Sequence, residues 1–449
     1  MQRPLIAVLI ASAVTFIAQG AQAADLIQVY QQALANDATY ASARNALTAG
    51  QERSIQGRSL LLPQIGLTGE HLKNNGDFTP SNVGATVDIA GTPTVVTRSD
   101  RDNSANTYRL SLTQPLFRWG NWQQYQQSKL AQAQAEAQFA QAQQDLIVRV
   151  AQAYFDVLTA QDNLASIQAQ KSATTEQLAS AKRNFEVGTQ TITDTHEAQA
   201  AYDLVVAQEF AAINDLEVRR TALQQIIGTA PASVATLRPG VRIAPPEPAT
   251  IEPWISSAEQ QNYAVAVQQL AVEIAKREIS RTRAGHMPTV DLVAQSLRQS
   301  QTANGLTKNN AVGISWTVPI FSGFQVTSQV RESIALEEKS RNDLEASKRS
   351  AAQNARQAYL GVNSGLAQVR ALEAAEVSSK SALESNKLGY QVGVRINIDV
   401  LNAQRQLYST QRDLSKARYD TIMNGLRLKA AAGTLKEADL VPVNALLTN

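Results

Sequence analysis

From Val150 onward, apolar side chains return at every seventh position. Val150, Val157, Leu164, Leu178 and Phe185 form one line, broken by Lys171, and Ala153, Ala160, Ile167 and Ala181 form a second line three residues on. A seven-residue step with small residues on one line is the seam of closely packed helices. The seam lies in a stretch without Pro or Gly, Trp122 to Phe185, which predicts one long helix over 122–185. At about 1.5 Å per residue that helix is roughly 96 Å long. Adding 205 to each position finds a second seam, Ala355, Val362, Val369, Leu383 and Tyr390, broken by Glu376, in a helix predicted over 324–390. Lys171 and Glu376 carry opposite charge at equivalent places. Either they pair between the two segments or both are solvated surface charges.

Each long helix reaches a glycine, Gly188 or Gly393, able to take the positive φ that closes a helix C-terminus. Turns are expected over 186–194 and 391–399, followed by helices over 195–228 and 400–432. The motif is an antiparallel helical hairpin made twice. NFEVGTQTITDTHEAQ (Asn184 to Gln199) and GYQVGVRINIDVLNAQ (Gly389 to Gln404) align at the same 205-residue interval, with Asp194 matching Asp399. Tyr154 and Tyr359, and Gly228 and Gly433, keep that interval too, so the repeat covers whole halves, 24–228 and 254–433.

Upstream of each long helix the period changes to two. Thr107 to Thr113 and Gly313 to Val318 alternate polar and apolar, and Gln64 to Leu72 and Thr289 to Leu297 do so less cleanly. Strand hairpins are therefore expected over 64–113 and 289–318, bounded on the helix side by Pro63, Pro115, Pro288 and Pro319. The hairpin tips, Lys73 to Asn106 and Arg298 to Asn310, are polar, and the first is longer by 21 residues. Ala24 to Leu60 and Trp254 to Gly285 read as helices. The stretch 229–253 holds six Pro and reads as a linker packed on the outside of the helices, and 434–449 as a C-terminal equatorial segment.

The first 23 residues have Arg3, an apolar run from Leu5 to Ile17 and Ala21-Gln22-Ala23, the anatomy of a cleaved secretory leader. Losing Arg3 takes the formal net charge from +2 to +1, which argues against a nucleic-acid partner. No cysteine is present. His71, His196 and His286 are scattered, and no phosphate loop or nucleophile-base pair is visible, so neither a cofactor, a metal site nor an enzyme is expected. After the leader no apolar run is long enough for a helical membrane span. Trp119, Trp122 and Trp316 are candidates for interfacial anchors or for core packing, whereas Trp254 suits a core.

Four strands are too few to close a barrel, and open strand edges cannot lie in lipid. Strands must come from further copies; two, three or four copies all give allowed barrels. In order and motif the chain resembles the TolC-type outer membrane factors of Gram-negative bacteria. TQPLF at Thr113, AQAYFDVL at Ala151, FEVGTQTITD at Phe185, GYQVGVRINIDVLNAQ at Gly389 and ARYDTIMNGLRLKAAAGTL at Ala417 carry the resemblance. It implies an α+β membrane protein: a homotrimeric 12-stranded β-barrel in outer-membrane lipid, continuous with a long α-helical coiled-coil tunnel. It implies export of proteins or small toxic molecules, with a periplasmic adaptor and an inner-membrane ABC or proton-driven transporter as partners.

The resemblance also implies a periplasmic constriction, with Asp399 as a carboxylate ring and Asn402 where the family pattern has a second acid. By position alone, Asp194, with Glu197 at capping-box spacing, and Asp399 also fit helix caps or first-turn acids. The resemblance further implies a gate in which Tyr390 and Arg395 contact Thr193 and Asp194. Two rival readings remain, a secreted or periplasmic coiled-coil scaffold and a passive porin. A porin would spend most of its chain on strands.

Overall fold

The computed structural model describes residues 23–74, 77–78, 84–95, 99–100, 103–230, 233–301 and 305–448. The expected leader, except for Ala23, lies outside the described residues, as do parts of both hairpin tips and two residues of the linker. The chain opens with α1 (Leu26–Asn36) and α2 (Ala38–Ser59), then six strands: β1 (Gln64–Asn74), β2 (Asp77–Phe78), β3 (Thr86–Ile89), β4 (Thr92–Val95), β5 (Ser99–Asp100) and β6 (Asn103–Phe117). The first helical hairpin is α3 (Trp119–Glu186) and α4 (Ile192–Ile227). After α5 (Glu252–Gln261), α6 (Tyr263–Arg283), β7 (Thr289–Gln301) and β8 (Gly305–Thr317) comes the second, α7 (Gln325–Gln391) and α8 (Asn397–Ala431), and then the short α9 (Leu440–Asn444).

These elements form two compact units. One is built from the residues up to Ala43 with Ala140–Asn262 and Arg349–Asn449, the other from Arg44–Phe139 and Tyr263–Lys348. The second unit holds a four-stranded antiparallel sheet in the order β1-β6-β7-β8. Cross-strand partners share a face, and Ile65, Leu112, Ala294 and Val312 are successive partners in one row. Leu292 with Ile314 and Val290 with Trp316 extend the same face. The opposite face carries Ser111, Gln295 and Ala311, and also Asp291, which Arg118 grips bidentately at 2.7 and 2.6 Å. The apolar face is bare: Val312 is 78% and Trp316 71% exposed.

Two expectations for the strands need correction. Pro115 does not end its strand, because β6 runs on to Phe117 and a register shift between Pro115 and Phe117 absorbs the missing donor. The first hairpin tip is not merely a loop, since β2 pairs β5 and β3 pairs β4 as further antiparallel ladders within it.

In the same unit α2 lies against α3 at backbone distance. A Cβ placed on Gly57 would stand 1.9 Å from Ser128 Oγ and 2.5 Å from Ser128 Cβ. Small residues let these helices approach, as the Ala-rich composition suggests.

In the first unit, the main core joins Leu26, Val29 and Tyr30 of α1 to Val150, Tyr154 and Phe155 of α3, with Leu223 and Ile227 of α4 and Tyr419 and Met423 of α8. Its polar centre is the Tyr154 hydroxyl, which donates to the carbonyls of Ala235 at 2.8 Å and Ala24 at 3.2 Å. Part of the linker also enters this core. Val234 and Ala235 are buried in the core, Ala24 bridges Val234, and Leu237 bridges Leu447. A segment without period is held because its backbone groups find partners at both ends of the chain. Trp254 packs with Ala358, Leu428 and Ala432 and donates to Pro248 O at 2.9 Å.

Gly57→Ala gains about 1 kcal/mol of helix propensity but forces α2 from α3, an overpacking cost of about 1–3 kcal/mol. The expected net result is a lower thermal midpoint for detergent-purified protein; an unchanged or higher midpoint would show that the two helices have room to part.

Candidate functional site

The candidate constriction and gate residues lie in the turns between the paired helices or in the helix ends beside them. Gly188 and Gly393 take φ of +71° and +79°. The chain then folds back so that Thr189 N–H reaches Asn184 O and Val394 N–H reaches Gly389 O, each at 2.9 Å. These bonds satisfy carbonyls that the ending helix leaves free.

Both returning helices start three residues earlier than expected, at Ile192 and Asn397. The cap of α4 is Thr191, not Asp194. Asp194 is the first-turn acid, whose Oδ2 accepts from the Thr191 amide at 3.2 Å and its hydroxyl at 2.9 Å. That is the reciprocal arm of a capping box, made with Thr191 rather than with Glu197. Asp399 is likewise in the first turn of α8, where the helix dipole favours negative charge. Arg395, from the turn, stands 3.7 Å from Asp399. Asn402 is exposed and accepts from Arg405.

The gate contacts expected between the turns differ from those found within one chain. Tyr390 donates to Gln190 Oε1 at 2.5 Å rather than to Thr193, and Arg395 faces its own Asp399 rather than Asp194. Thr193 is exposed at the start of α4. Asp194 is reached instead through its backbone, since Asn397 Nδ2 donates to Asp194 O at 3.0 Å. Asn397 is fully buried, and its Oδ1 accepts from Gln177 Nε2 at 2.6 Å. The sequence reading missed Asn397. Its signal is a line of amides, Asn397, Gln404 and Gln411, at seven-residue spacing along α8.

A cavity of 730 Å³ opens beside these links, lined by Gln177, Asn184, Gln190, Lys387, Tyr390 and Gln404. Within each hairpin the packing is apolar: Ile167 with Val205 and Ala212, Leu178 with Ala198, Val369 with Leu414, and Leu383 with Val400 and Leu407. Charge pairs reinforce that packing. Lys171 meets Glu209 at 2.6 Å and Arg418 meets Glu373 at 2.8 Å, while Glu376 accepts from Gln411 at 3.0 Å. Lys171 and Glu376 thus neither pair with each other nor stand solvated alone, because each has a nearer partner inside its own hairpin.

Between the hairpins, where α3 passes α8, the apolar core around Phe155, Tyr419 and Met423 is flanked by polar contacts. Arg427 donates to Gln152 at 2.6 Å, Tyr419 to Asp162 at 2.7 Å, Ser166 to Tyr408 O at 3.3 Å and Tyr408 to Ala169 O at 3.2 Å. Burial raises the Asp162 carboxyl above the ordinary carboxylate range, against the hydrogen bonds from Tyr419 and Ser415 and the nearby Arg418. Burial likewise pushes the Tyr419 phenol upward, with Asp162 adding to the effect. Two hairpins with largely apolar interiors meet through a shared core and the polar contacts that flank it.

Among the described residues no group of three or more His, Cys, Asp or Glu is placed to hold a metal ion. No described helix is long and apolar enough to cross a membrane.

A raised carboxyl pKa means that ionised Asp162 costs stability at neutral pH, a cost relieved as pH falls through its folded-state pKa and gone below the unfolded value. Asp162→Asn keeps an acceptor for Tyr419 and is expected to raise the thermal midpoint at pH 7.5 by about one or two degrees, with a smaller gain at pH 4.5. A gain that is larger in acid would reverse the assigned sign.

The chain matches the family described as outer membrane efflux protein over residues 29–229 and 254–434. It is 33% identical over 451 residues to the outer membrane protein TolC of Vibrio cholerae, covering 99% of this chain and 98% of that one. It is 32% identical to the alkaline protease secretion protein AprF of Pseudomonas aeruginosa, covering 95% and 88% of the two chains. Its fold is like that of the outer membrane protein VceC of Vibrio cholerae, with a TM-score of 0.75 at 18% identity over 91% of this chain and 96% of that chain. With nearly the whole chain aligned at this identity, and both helical halves matched, the chain belongs to the outer membrane efflux protein family.

Proposed function

We propose that three copies of the chain form a 12-stranded barrel in the outer membrane and a helical tunnel in the periplasm. Together they pass cargo from an inner-membrane transporter and its periplasmic adaptor to the exterior. The chain is an outer-membrane channel protein of efflux and secretion. The observation that carries the oligomeric reading is the four-stranded sheet: β1 and β8 each have one strand neighbour among the described residues, and one face is apolar and bare, while the number three rests on the family resemblance. Strands of 11 to 15 residues suffice to cross lipid when tilted. A soluble scaffold would have no use for such a face.

Similarity to a protein named for protease secretion favours proteins as cargo, and the efflux family favours small molecules; the channel serves either through the transporter it meets. The two sequence halves supply equivalent strand and helix pairs, so three chains present six similar hairpins. In the assembled tunnel, Asp399 from each copy forms the acidic constriction, with Asn402 beside it. A ring of carboxylates concentrates cations in a narrow pore, and Arg395 beside Asp399 moderates its field. The gate is the region where the turns of the two hairpins meet, around Tyr390, Arg395, Thr193 and Asp194.

The native chain has no cysteine, so disulfide trapping has no background. Single Cys residues scanned along β1 and β8, beginning with Leu67→Cys and Val312→Cys together, are expected to give a covalent trimer under oxidation. A dominant dimer or tetramer would refute the proposed number.

In planar bilayers, Asp399→Ala is expected to reduce cation preference by roughly a factor of two or more. Preference equal to wild type would leave Asp399 as a first-turn acid only.

A further inference from the structure

The bare face of the sheet changes character toward the hairpin tips. At the helix end it begins with Val290 opposite Trp316 and passes through the row Ile65, Leu112, Ala294 and Val312. In the next row Ser296 donates to Asn310 Oδ1 at 2.8 Å, so this polar pair satisfies itself. The row after that sets Tyr108, Arg298 and Lys308 side by side on β6, β7 and β8. Lys73, near the end of β1, faces the same way. Arg298, Lys308 and Lys73 are exposed, and neither Arg298 nor Lys308 has an acidic partner among the described residues. Glu70, in the same stretch of β1, is on the opposite face. The Tyr108 ring leans toward β1, where a Cβ on Gly69 would stand 3.6 Å from it, on the side away from the two cations.

From Val290 to Arg298 is eight residues, roughly 26 Å of strand and, at a tilt of about 40°, roughly 20 Å of depth. The apolar band of a membrane barrel is about 25 Å tall and is edged by aromatic girdles. With Trp316 at the near edge, Tyr108, Arg298 and Lys308 fall at the far one, where lipid headgroups begin. Pairing of β1 and β8 with further copies extends the sheet sideways and leaves this face turned outward. We infer that Arg298 and Lys308 bind a phosphate of outer-leaflet lipid, so that each copy holds a phosphorylated glycolipid against the barrel wall, with Lys73 continuing the cationic rim. This rests on the outer-membrane barrel proposed above and adds a lipid ligand to it. Like charges directly opposite each other on neighbouring strands repel. An anion between them removes that repulsion and accepts charge-assisted hydrogen bonds from both, two of them in parallel from the guanidinium. A lipid phosphate is delivered at this height because its acyl chains lie along the apolar rows beneath, whereas a free phosphate ion has nothing to hold it there.

The test is native mass spectrometry of full-length, detergent-purified protein titrated with bis-phosphorylated lipid A, the same lipid stripped of both phosphates, or phosphatidylcholine. EDTA is present throughout, so that divalent cations do not bridge phosphates. Wild type, Arg298→Gln with Lys308→Gln, Lys308→Gln alone and Arg109→Gln are compared. Arg109 is the charge-matched control, since it lies on the opposite face at nearly the same height, paired with Thr68 and Leu297. Wild type should hold phosphorylated lipid A roughly tenfold or more tightly than the stripped form, and the double variant should lose that preference. Lys308→Gln should lose part of it, and Arg109→Gln none. The site is overturned if wild type ignores the phosphates, if the double variant binds as tightly as wild type, or if Arg109→Gln weakens binding as much as Lys308→Gln. Should the double variant fail to assemble, Lys308→Gln decides: affinity equal to wild type removes the site. Protein that stays soluble without detergent and takes up none of the three lipids would instead sink the barrel reading, while protein that takes up all three alike sinks the site alone.

Discussion

A backbone N–H or C=O covered by hydrocarbon must find its partner within protein. A sheet of four strands cannot meet that demand at its own two edges. This constraint gives the rest of the molecule its meaning, because β1 and β8 are edges among the described residues, and Ile65, Val312 and Trp316 on one face are exposed in the isolated chain. Neither feature makes sense for a chain working alone in water. Both make sense if edges from separate copies pair and the apolar face meets lipid. Oligomerisation is then a condition for the sheet to exist in the membrane.

The helical part follows a different economy, in which the kind of contact changes with location. Inside each hairpin the seam is built from Ala, Val and Leu, whose burial is non-directional and hard to undo piecemeal. Between hairpins, outside the core around Phe155 and Met423, the contacts are polar, directional and individually modest. Such a division separates contacts that are lost only together from contacts that can be exchanged one at a time. Asp162 fits it as well: a carboxylate held against its solvation preference by Tyr419 marks an interface that is held together without being optimised for strength.

Much of this was legible because it rests on periodic patterns. The Val150 to Phe185 seam, the glycines at 188 and 393 and the alternation around Leu110 and Ile314 each fixed an element to within a few residues. What escaped lacks a period. Val234 and Ala235 sit in a Pro-rich stretch whose burial depends on backbone bonds to the far ends of the chain, which no local pattern reports. Pro115 argued for a strand end, but a bulge made room for it. Asn397 fell inside the expected turn over 391–399, and the contacts assigned to Tyr390 and Arg395 came from resemblance rather than from geometry. Acidic residues draw attention in a sequence because charge suggests function. Here the buried position at the turn belongs to a neutral side chain.

The clasp around Tyr154 has one further consequence. Asn444 accepts the amide of Leu26 at 2.9 Å and donates to Asp25 at 3.1 Å, so the start of α1 and the end of α9 are held together. The described chain is therefore nearly a closed ring. Its two halves meet both at the central linker and at this second junction. A gene reading the second half before the first would trace almost the same path through space, which makes the order of the halves an accident of history more than a requirement of the fold.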